Sequence, residues 1–312
     1  MIPSLKFRRL TVKEHFNIIF CRHILTILTL TSAFGAFAFL TQKDIPLTTF
    51  AGLLLSIILS YLLESLDTTL KTPEDIELCA KMSYLGYIPS IEKELKNSKD
   101  ADLVSDNRHY SYVAEAFRKA VTSLLSSCSE EKQSKTFVVS SFIPKEGKSF
   151  VATNLAITFA SAGEPTLLID GDMRKGRLDE VFNVGNEKGL SNVLAGVASF
   201  QESVTSTNIE NLSLLSSGVA SPNPIELLKA EKLKTILQEA GTKFKKIVID
   251  TPPVLSVPDA LVFGGGCDGL IFVIKAGVTP FQHIVDAQKI IGDRVKVLGA
   301  VLNGVDVKKT QQ

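Results

Sequence analysis

A Gly-Lys-Ser triplet at residues 147–149 has the composition of a loop that binds phosphate. It ends the segment FIPKEGKS, which lies between an apolar run, KTFVVSS, and a helical pattern, FVATNLAITFA. In such strand–loop–helix units the helix N-terminus attracts phosphate, the Lys reaches the β and γ phosphates, and the hydroxyl ligates Mg²⁺. The sequence therefore predicts a triphosphate site in which Lys148 and Ser149 have these roles and the backbone N–H groups of residues 144–149 cradle the phosphates.

The loop departs from the general pattern G-x-x-x-x-G-K-[ST] at its first position, where this chain has Phe142. A Gly-Lys-Ser triplet alone is common by chance, so the prediction depends on the strand before it and the helix after it. On this basis we predict that the ligand is a nucleoside triphosphate and that the binding residues are Pro144, Lys145, Glu146, Gly147, Lys148, Ser149 and Phe150.

Three aspartates follow two other apolar runs. LLIDGDMR contains Asp170 and Asp172, and IVIDTPP contains Asp250. Carboxyl ends of parallel strands meet at the crevice where such sheets bind ligands, and carboxylates there can hold Mg²⁺ directly or through water. Each Asp taken alone could instead cap a helix or turn. Together with the loop, they favour a metal site, with Ser149, Asp172 and Asp250 as ligands.

The elements that would position these residues alternate along the chain from Lys135 to the end. Short apolar runs without polar alternation are typical of buried parallel strands, and helical patterns separate most of them. The runs are KTFVVSS, PTLLIDGD, NLSLLSSG, KKIVIDTPP, DGLIFVIKAG and VKVLGAVLN. We predict a doubly wound, mainly parallel α/β P-loop domain over residues 135–312.

Two charge-free runs near the N-terminus predict a transmembrane hairpin. They extend from Ile24 to Gln42 and from Ile45 to Leu63, each close to the ~20 residues that cross a bilayer. Basic residues precede the first run, so residues 1–23 are expected in the cytoplasm, with a short external loop inside the 24–63 hairpin. A signal peptide or a buried helix is the alternative.

Residues 64–134 are predicted to form a juxtamembrane linker with an amphipathic helix. Between Tyr110 and Ser127, apolar residues recur at i, i+3 and i+4. Such a helix packs on the domain that follows or forms a subunit interface.

Composition excludes two other kinds of site. The net charge is +1, and nucleic-acid binders carry a strong basic excess, so no nucleic-acid partner is expected. The four cysteines are scattered without paired spacing, which argues against a disulfide framework or a zinc centre.

The motifs resemble those of the bacterial tyrosine kinases of capsule and exopolysaccharide export, which are attached to the end of a polysaccharide co-polymerase. The matching segments are EAFR, IPKEGKS, LLIDGDMRKG, NPIELL, IVIDTPPVLSVPDA and VLNGV. The exit of the second apolar run, LLESLDTTLKTPEDIE followed by LGYIP, is similar to the end of a co-polymerase. The resemblance covers most of the chain.

This resemblance implies an ATP- and Mg²⁺-dependent protein-tyrosine kinase that regulates polysaccharide assembly and export from the bacterial inner membrane, with its catalytic domain in the cytoplasm. It implies catalytic roles for Lys148, Asp170 and Asp172, either Asp being the base, and a metal role for Asp250. Asn303 in VLNGV would lie near the adenine. The implied partners are polysaccharide export or polymerase components, a tyrosine substrate in trans, and further copies of the chain.

Several departures from the family pattern keep an alternative open, a non-kinase ATPase switch or adaptor of the same system. The runs are not separated by a large external domain, and the interface motif E-x-x-R-x-x-R has Val121 at its last position. All tyrosines precede the P-loop, and Tyr110 and Tyr112 are the expected acceptors within the chain. Partition ATPases share the fold but carry a signature Lys where this chain has Ile143.

Overall fold

The computed structural model describes residues 32, 45–66, 68–91, 103, 111–128, 135–220, 223–228 and 230–306. The chain divides into two compact units, Met1–Thr68 and Thr69–Gln312. The predicted cytoplasmic N-terminus (1–23) and the first predicted span, apart from Ser32, lie outside the described residues.

The first unit contains helix α1, Ile45–Leu66, which covers the second predicted span. Its apolar side chains are exposed at several positions, including Phe50 (59%) and Ile58 (62%). Within the ranges that the structure describes, no helix has the length and apolar character that crossing a membrane requires.

The second unit is built on an eight-stranded sheet in the order β1-β8-β7-β2-β6-β3-β5-β4. All neighbouring strands are parallel except β4 and β5. The strands are β1 (Tyr84–Pro89), β2 (Thr136–Ser141), β3 (Thr166–Asp170), β4 (Val204–Ser206), β5 (Leu212–Leu215), β6 (Lys246–Asp250), β7 (Gly269–Lys275) and β8 (Val297–Val305). The prediction of a mainly parallel α/β P-loop sheet is confirmed.

Helices follow most strands, as in a doubly wound fold. They are α2 (Ser111–Ser126), α3 (Lys148–Ser161), α4 (Leu178–Phe182), α5 (Leu190–Ala195), α6 (Phe200–Ser203), α7 (Pro224–Leu227), α8 (Ala230–Lys243), α9 (Asp259–Gly265) and α10 (Phe281–Ile291). A π-helical turn occupies Asp75–Cys79.

The sheet separates two apolar clusters, because successive side chains of a strand point to opposite faces. In β2, Phe137 and Val139 join the cluster that contains residues of α2, α3 and α4, whereas Val138 joins the cluster with residues of α8, α9 and α10. Helices therefore cover both faces of the sheet, and polar ligands have access at the ends of the strands.

Part of the predicted linker belongs to this sheet. Residues 84–89 form β1, which pairs with β8 at one edge. The chain before β1 is also attached, since Leu70 N–H donates to Thr279 O at 3.0 Å and Gly277 N–H donates to Leu70 O at 2.7 Å. These long-range pairings are not visible as a local pattern in the sequence.

The predicted amphipathic helix is α2, which buries Val113, Phe117 and Leu124 against β1 and α3. Tyr112 lies in its first turn and is exposed. Tyr110 lies outside the described residues. Burial raises the pKa of Tyr84 to about 12, whereas Tyr87 is 44% exposed.

Candidate functional site

The loop between β2 and α3 has the backbone of a phosphate-binding loop. Lys145 and Gly147 have left-handed conformations, with φ of 69° and 91°. Among the described residues, no acceptor is bonded to the backbone N–H groups of residues 145–149. Pro144, which was predicted to contribute an N–H group, has none. Successive free N–H groups in such turns form a concave site for an anion, and the N-terminus of α3 adds its dipole.

Phe142 explains why this loop needs no Gly at its first position. Its side chain is fully buried and stacks on Phe272 of β7, with ring centroids 4.5 Å apart. Its backbone N–H donates to the Glu146 carboxylate at 2.7 Å. The residue therefore anchors the start of the loop in the core.

The predicted catalytic residues Lys148 and Asp172 meet at the end of the sheet, together with Asp250. The Lys148 Nζ atom lies 3.3 Å from Asp172 Oδ2 and 3.4 Å from Asp250 Oδ2. Lys148 keeps 15% of its side chain exposed. The order of the strands brings these residues together, because β6, which ends at Asp250, lies between β2 and β3.

Asp170 lies opposite Asp250 in the register of β3 and β6, but backbone groups occupy its carboxylate. Oδ1 accepts the Asp172 N–H at 3.2 Å, and Oδ2 accepts the N–H groups of Arg177 and Leu178 at 3.0 and 3.1 Å. Asp170 therefore fixes the turn after β3 and the start of α4. Asp172 differs, since Oδ1 accepts Lys175 N–H at 3.0 Å while Oδ2 faces Lys148.

Ser149 and Asp250 form the pair that a Mg²⁺–phosphate ligand would require. The Ser149 hydroxyl donates to Asp250 Oδ2 at 2.6 Å. Lys148 Nζ donates to the Ser149 hydroxyl oxygen at 3.2 Å. No group of three or more His, Cys, Asp or Glu side chains with metal-binding geometry occurs among the described residues. Few protein ligands suit Mg²⁺ in nucleotide sites, because phosphates and waters complete its octahedron. The residues therefore fit Mg²⁺ bound together with a nucleotide.

Electrostatics favour an additional cation at this point, since two carboxylates, those of Asp172 and Asp250, face one ammonium. Burial raises the pKa of Asp170 to about 7, and the charge of Asp250 adds to the shift. Burial also raises the pKa of Asp250, although Lys148 and Ser149 oppose it. Burial lowers the pKa of Lys148, but the nearby carboxylates outweigh it, so the net shift is upward.

Two other predicted ATP-binding residues have structural contacts. Asn303, at the end of β8, donates from Nδ2 to Glu146 O at 2.9 Å. A Cβ atom at Gly147 would lie 2.1 Å from this nitrogen, so the close approach requires Gly. The Phe150 ring packs edge-on against Phe117 of α2, with centroids 5.8 Å apart. The predicted place of Asn303 near the adenine stays a prediction.

Sequence reasoning missed two contacts near the site. Arg174, in the turn after β3, forms an ion pair with Asp259, which is fully buried at the start of α9. Glu146 was predicted only as part of the loop, yet its side chain is buried and bonds to Thr279. No spacing signal links these pairs, since each joins residues far apart in the chain.

Comparisons with known proteins agree with this geometry. The family described as "AAA domain" matches residues 138–265. Tyrosine-protein kinase YwqD of Bacillus subtilis (strain 168) is 37% identical over 58% of this chain and 77% of its own length. Putative tyrosine-protein kinase CapB of Staphylococcus aureus is 35% identical over 69% of this chain and 94% of its own. The solved kinase domain of Escherichia coli tyrosine kinase ETK superposes with a TM-score of 0.70 at 29% identity, covering 77% of this chain and 96% of that one.

Proposed function

This chain belongs to the bacterial tyrosine-protein kinase family, and we propose that it transfers the γ-phosphoryl group of ATP to a tyrosine hydroxyl. The observation that carries the proposal is the position of Lys148 Nζ, between Asp172 and Asp250 and beside a loop with free backbone N–H groups. In phosphoryl transfer the protein mainly positions groups and stabilises developing charge, and these residues are suited to that task.

In this proposal the N–H groups of residues 145–149 bind the phosphate oxygens and Lys148 reaches the β and γ phosphates. Ser149 and Asp250 would hold Mg²⁺, directly or through water. When bound, Mg²⁺ supplies Lewis-acid stabilisation of the phosphoryl oxygens. Phosphate oxygens would compete with Asp172 for Lys148, and the Asp172 carboxylate would then be free of the ion pair that it makes at 3.3 Å.

We assign the role of base to Asp172 rather than Asp170. A carboxylate close to the incoming phenol can take its proton in the transition state. Asp170 accepts three backbone N–H groups, and moving it would disrupt the start of α4. Asp172 keeps Oδ2 on the side of Lys148, where the phosphoryl group would lie.

A kinase assay on the full chain in detergent tests this function. The chain is incubated with labelled ATP, Mg²⁺ and a tyrosine-containing polymer, and phosphotyrosine is measured together with free phosphate. We expect labelled tyrosine in the parent and at most a trace in Asp172→Asn. Hydrolysis of ATP without phosphotyrosine on any substrate would contradict the kinase assignment and favour the ATPase switch.

We further propose that residues 24–63 form a two-helix membrane hairpin, with both chain ends in the cytoplasm and the catalytic domain at the inner membrane. The support is the two charge-free runs, the basic residues before Ile24, and the exposed apolar side chains of α1. A cysteine at Gln42 should then react with an impermeant reagent added outside intact cells. Labelling only after lysis would contradict the hairpin.

For partners, we propose polysaccharide export or polymerase components in the membrane, a tyrosine substrate on another chain, and self-association through α2. Glu115 and Arg118 are exposed on this helix and pair with each other at 2.9 Å. Arg118→Ala should shift the sedimentation of the full chain towards the monomer. An unchanged profile for a multimeric parent would exclude this face.

A further inference from the structure

The Glu146 side chain closes the phosphate loop from within. Only 1% of the residue is exposed. Its Oε2 atom accepts two backbone N–H groups at the start of the loop, from Phe142 at 2.7 Å and from Ile143 at 2.8 Å. These bonds tie the last part of the loop to its first two residues and leave the N–H groups of residues 145–149 free for phosphate.

The same residue is held from two other elements. Its Oε1 atom accepts the hydroxyl of Thr279, which is fully buried in the turn between β7 and α10. The Thr279 hydroxyl in turn accepts Lys275 N–H at 3.1 Å. On the main chain, Glu146 O accepts Asn303 Nδ2 from the end of β8 at 2.9 Å. Two neighbouring strands thus fix one loop residue.

We propose that Glu146 is a positioning residue for nucleotide binding, and that Thr279 holds its carboxyl group in place. This inference rests on the proposed function, because it assumes that the loop binds the phosphates of ATP. A phosphate site gains affinity from donors that already point at the ligand. Without the carboxyl group, the N–H groups of Phe142 and Ile143 lose their acceptor, and buried donors without acceptors are expensive. The loop would then rearrange to satisfy them with the wrong geometry.

The chain offers a matched control for a purely structural role. Asp268 accepts two backbone N–H groups at the other end of strand β2, from Lys135 at 2.7 Å and Thr136 at 2.9 Å. It makes the same kind of contact as Glu146, but at the amino end of a strand whose carboxyl end carries the loop. Loss of either carboxylate should lower thermal stability, whereas only loss of Glu146 should affect nucleotide binding.

The experiment measures Mg-ATP affinity by calorimetry and the unfolding temperature for the full chain in detergent. We compare the parent with Glu146→Ala, Glu146→Gln and Asp268→Ala. Glu146→Ala should weaken ATP binding about tenfold or more, since 1.4 kcal/mol corresponds to a factor of ten and two donors lose their acceptor, the buried N–H of Phe142 and the half-buried N–H of Ile143. Gln keeps an oxygen for both N–H groups and can donate to Thr279, so Glu146→Gln should stay within about threefold of the parent. Asp268→Ala should bind ATP within about twofold.

Parent-like ATP affinity in Glu146→Ala would overturn the inference, and so would an equal loss in Asp268→Ala. If Glu146→Ala does not fold, Thr279 decides: Thr279→Val should weaken ATP binding about threefold, whereas Thr279→Ser, which keeps the hydroxyl, should match the parent. Equal ATP affinities of Thr279→Val and Thr279→Ser would show that the hydrogen bond from Thr279 to Glu146 has no role in nucleotide binding. A parent that binds no Mg-ATP would refute the proposed function itself, which separates the two failures.

Discussion

Replacing Lys148 by Met removes the charge at the centre of the site but keeps the length of the side chain. Lys148 is the ammonium that faces both Asp172 and Asp250, and Asp250 is 1% exposed. Removing one partner of a buried ion pair costs about 3–5 kcal/mol, and the lower value applies here because Lys148 is partly exposed. For a domain of this size, about 3 kcal/mol corresponds to a fall in the unfolding temperature of roughly 10 °C.

The loss of stability in Lys148→Met should depend on pH, and the charges of Lys148 and Asp250 determine whether it grows or shrinks as pH rises. Lys148 holds down the pKa of Asp250, which burial raises. Without the ammonium, the folded-state pKa rises further above its value in the unfolded chain, so the folded variant retains protons to higher pH. The contribution of protonated Asp250 to the stability of the variant is therefore lost as pH rises from the pKa of Asp250 in the unfolded chain to its pKa in the folded chain. The deficit relative to the parent should be largest near pH 8 and smaller at pH 5.

Scanning calorimetry of the parent and Lys148→Met at pH 5 and pH 8 measures this difference, and titration with Mg-ATP measures binding. A charged hydrogen bond contributes up to about 3 kcal/mol, so ATP affinity should fall about 100-fold. Lys188→Met is the control, because Lys188 pairs with Glu202 at 3.3 Å with both side chains more than half exposed. Such pairs contribute little. If Lys148→Met melts like the control at both pH values and binds ATP like the parent, the reasoning is wrong.

Three further predictions concern the metal, the loop and a thiol. Asp250→Asn should raise the Mg²⁺ concentration needed for half-maximal turnover about tenfold, because it removes charge from the metal shell; an unchanged Mg²⁺ titration would contradict a metal role for Asp250. Gly147→Ala should cost about 1–2 kcal/mol for a side chain at φ 91° and also displace Asn303, which calorimetry should detect as lower stability and weaker ATP binding. Burial raises the pKa of Cys267 to about 12, so at pH 8 only about one thiol in 10⁴ is ionised. Because the thiolate is the reactive form, alkylation of Cys267 at pH 8, measured by peptide mass spectrometry, should be very slow. Rapid alkylation at pH 8 would contradict this assignment.

The sequence alone determined the features that depend on neighbouring residues. Apolar runs without alternation indicated the parallel strands, and the Gly-Lys-Ser triplet between a strand and a helix indicated the phosphate loop. The ends of strands marked Asp170, Asp172 and Asp250 as crevice residues, and all three lie there. These signals are local, since strand ends and loop chemistry are encoded within about ten residues.

Only the tertiary structure decided which contacts each of these groups makes. Asp170 and Asp172 are equivalent in the letters LLIDGDMR, but backbone donors from the start of α4 occupy Asp170, whereas Asp172 faces Lys148. The sequence marks Phe142 only as a departure from the general P-loop pattern, whereas in the structure its ring stacks on Phe272 in the core. Both outcomes depend on which segments fold against the loop.

The same reason explains the contacts that the sequence did not indicate. Residues 84–89 become a sheet strand only because β8 offers an edge, more than 200 residues later in the chain. Glu146 and Thr279 are 133 positions apart, and they meet because β7 lies next to β2. The order of strands in a parallel sheet is set by crossover connections and packing of both faces, so it brings together residues that no local spacing relates.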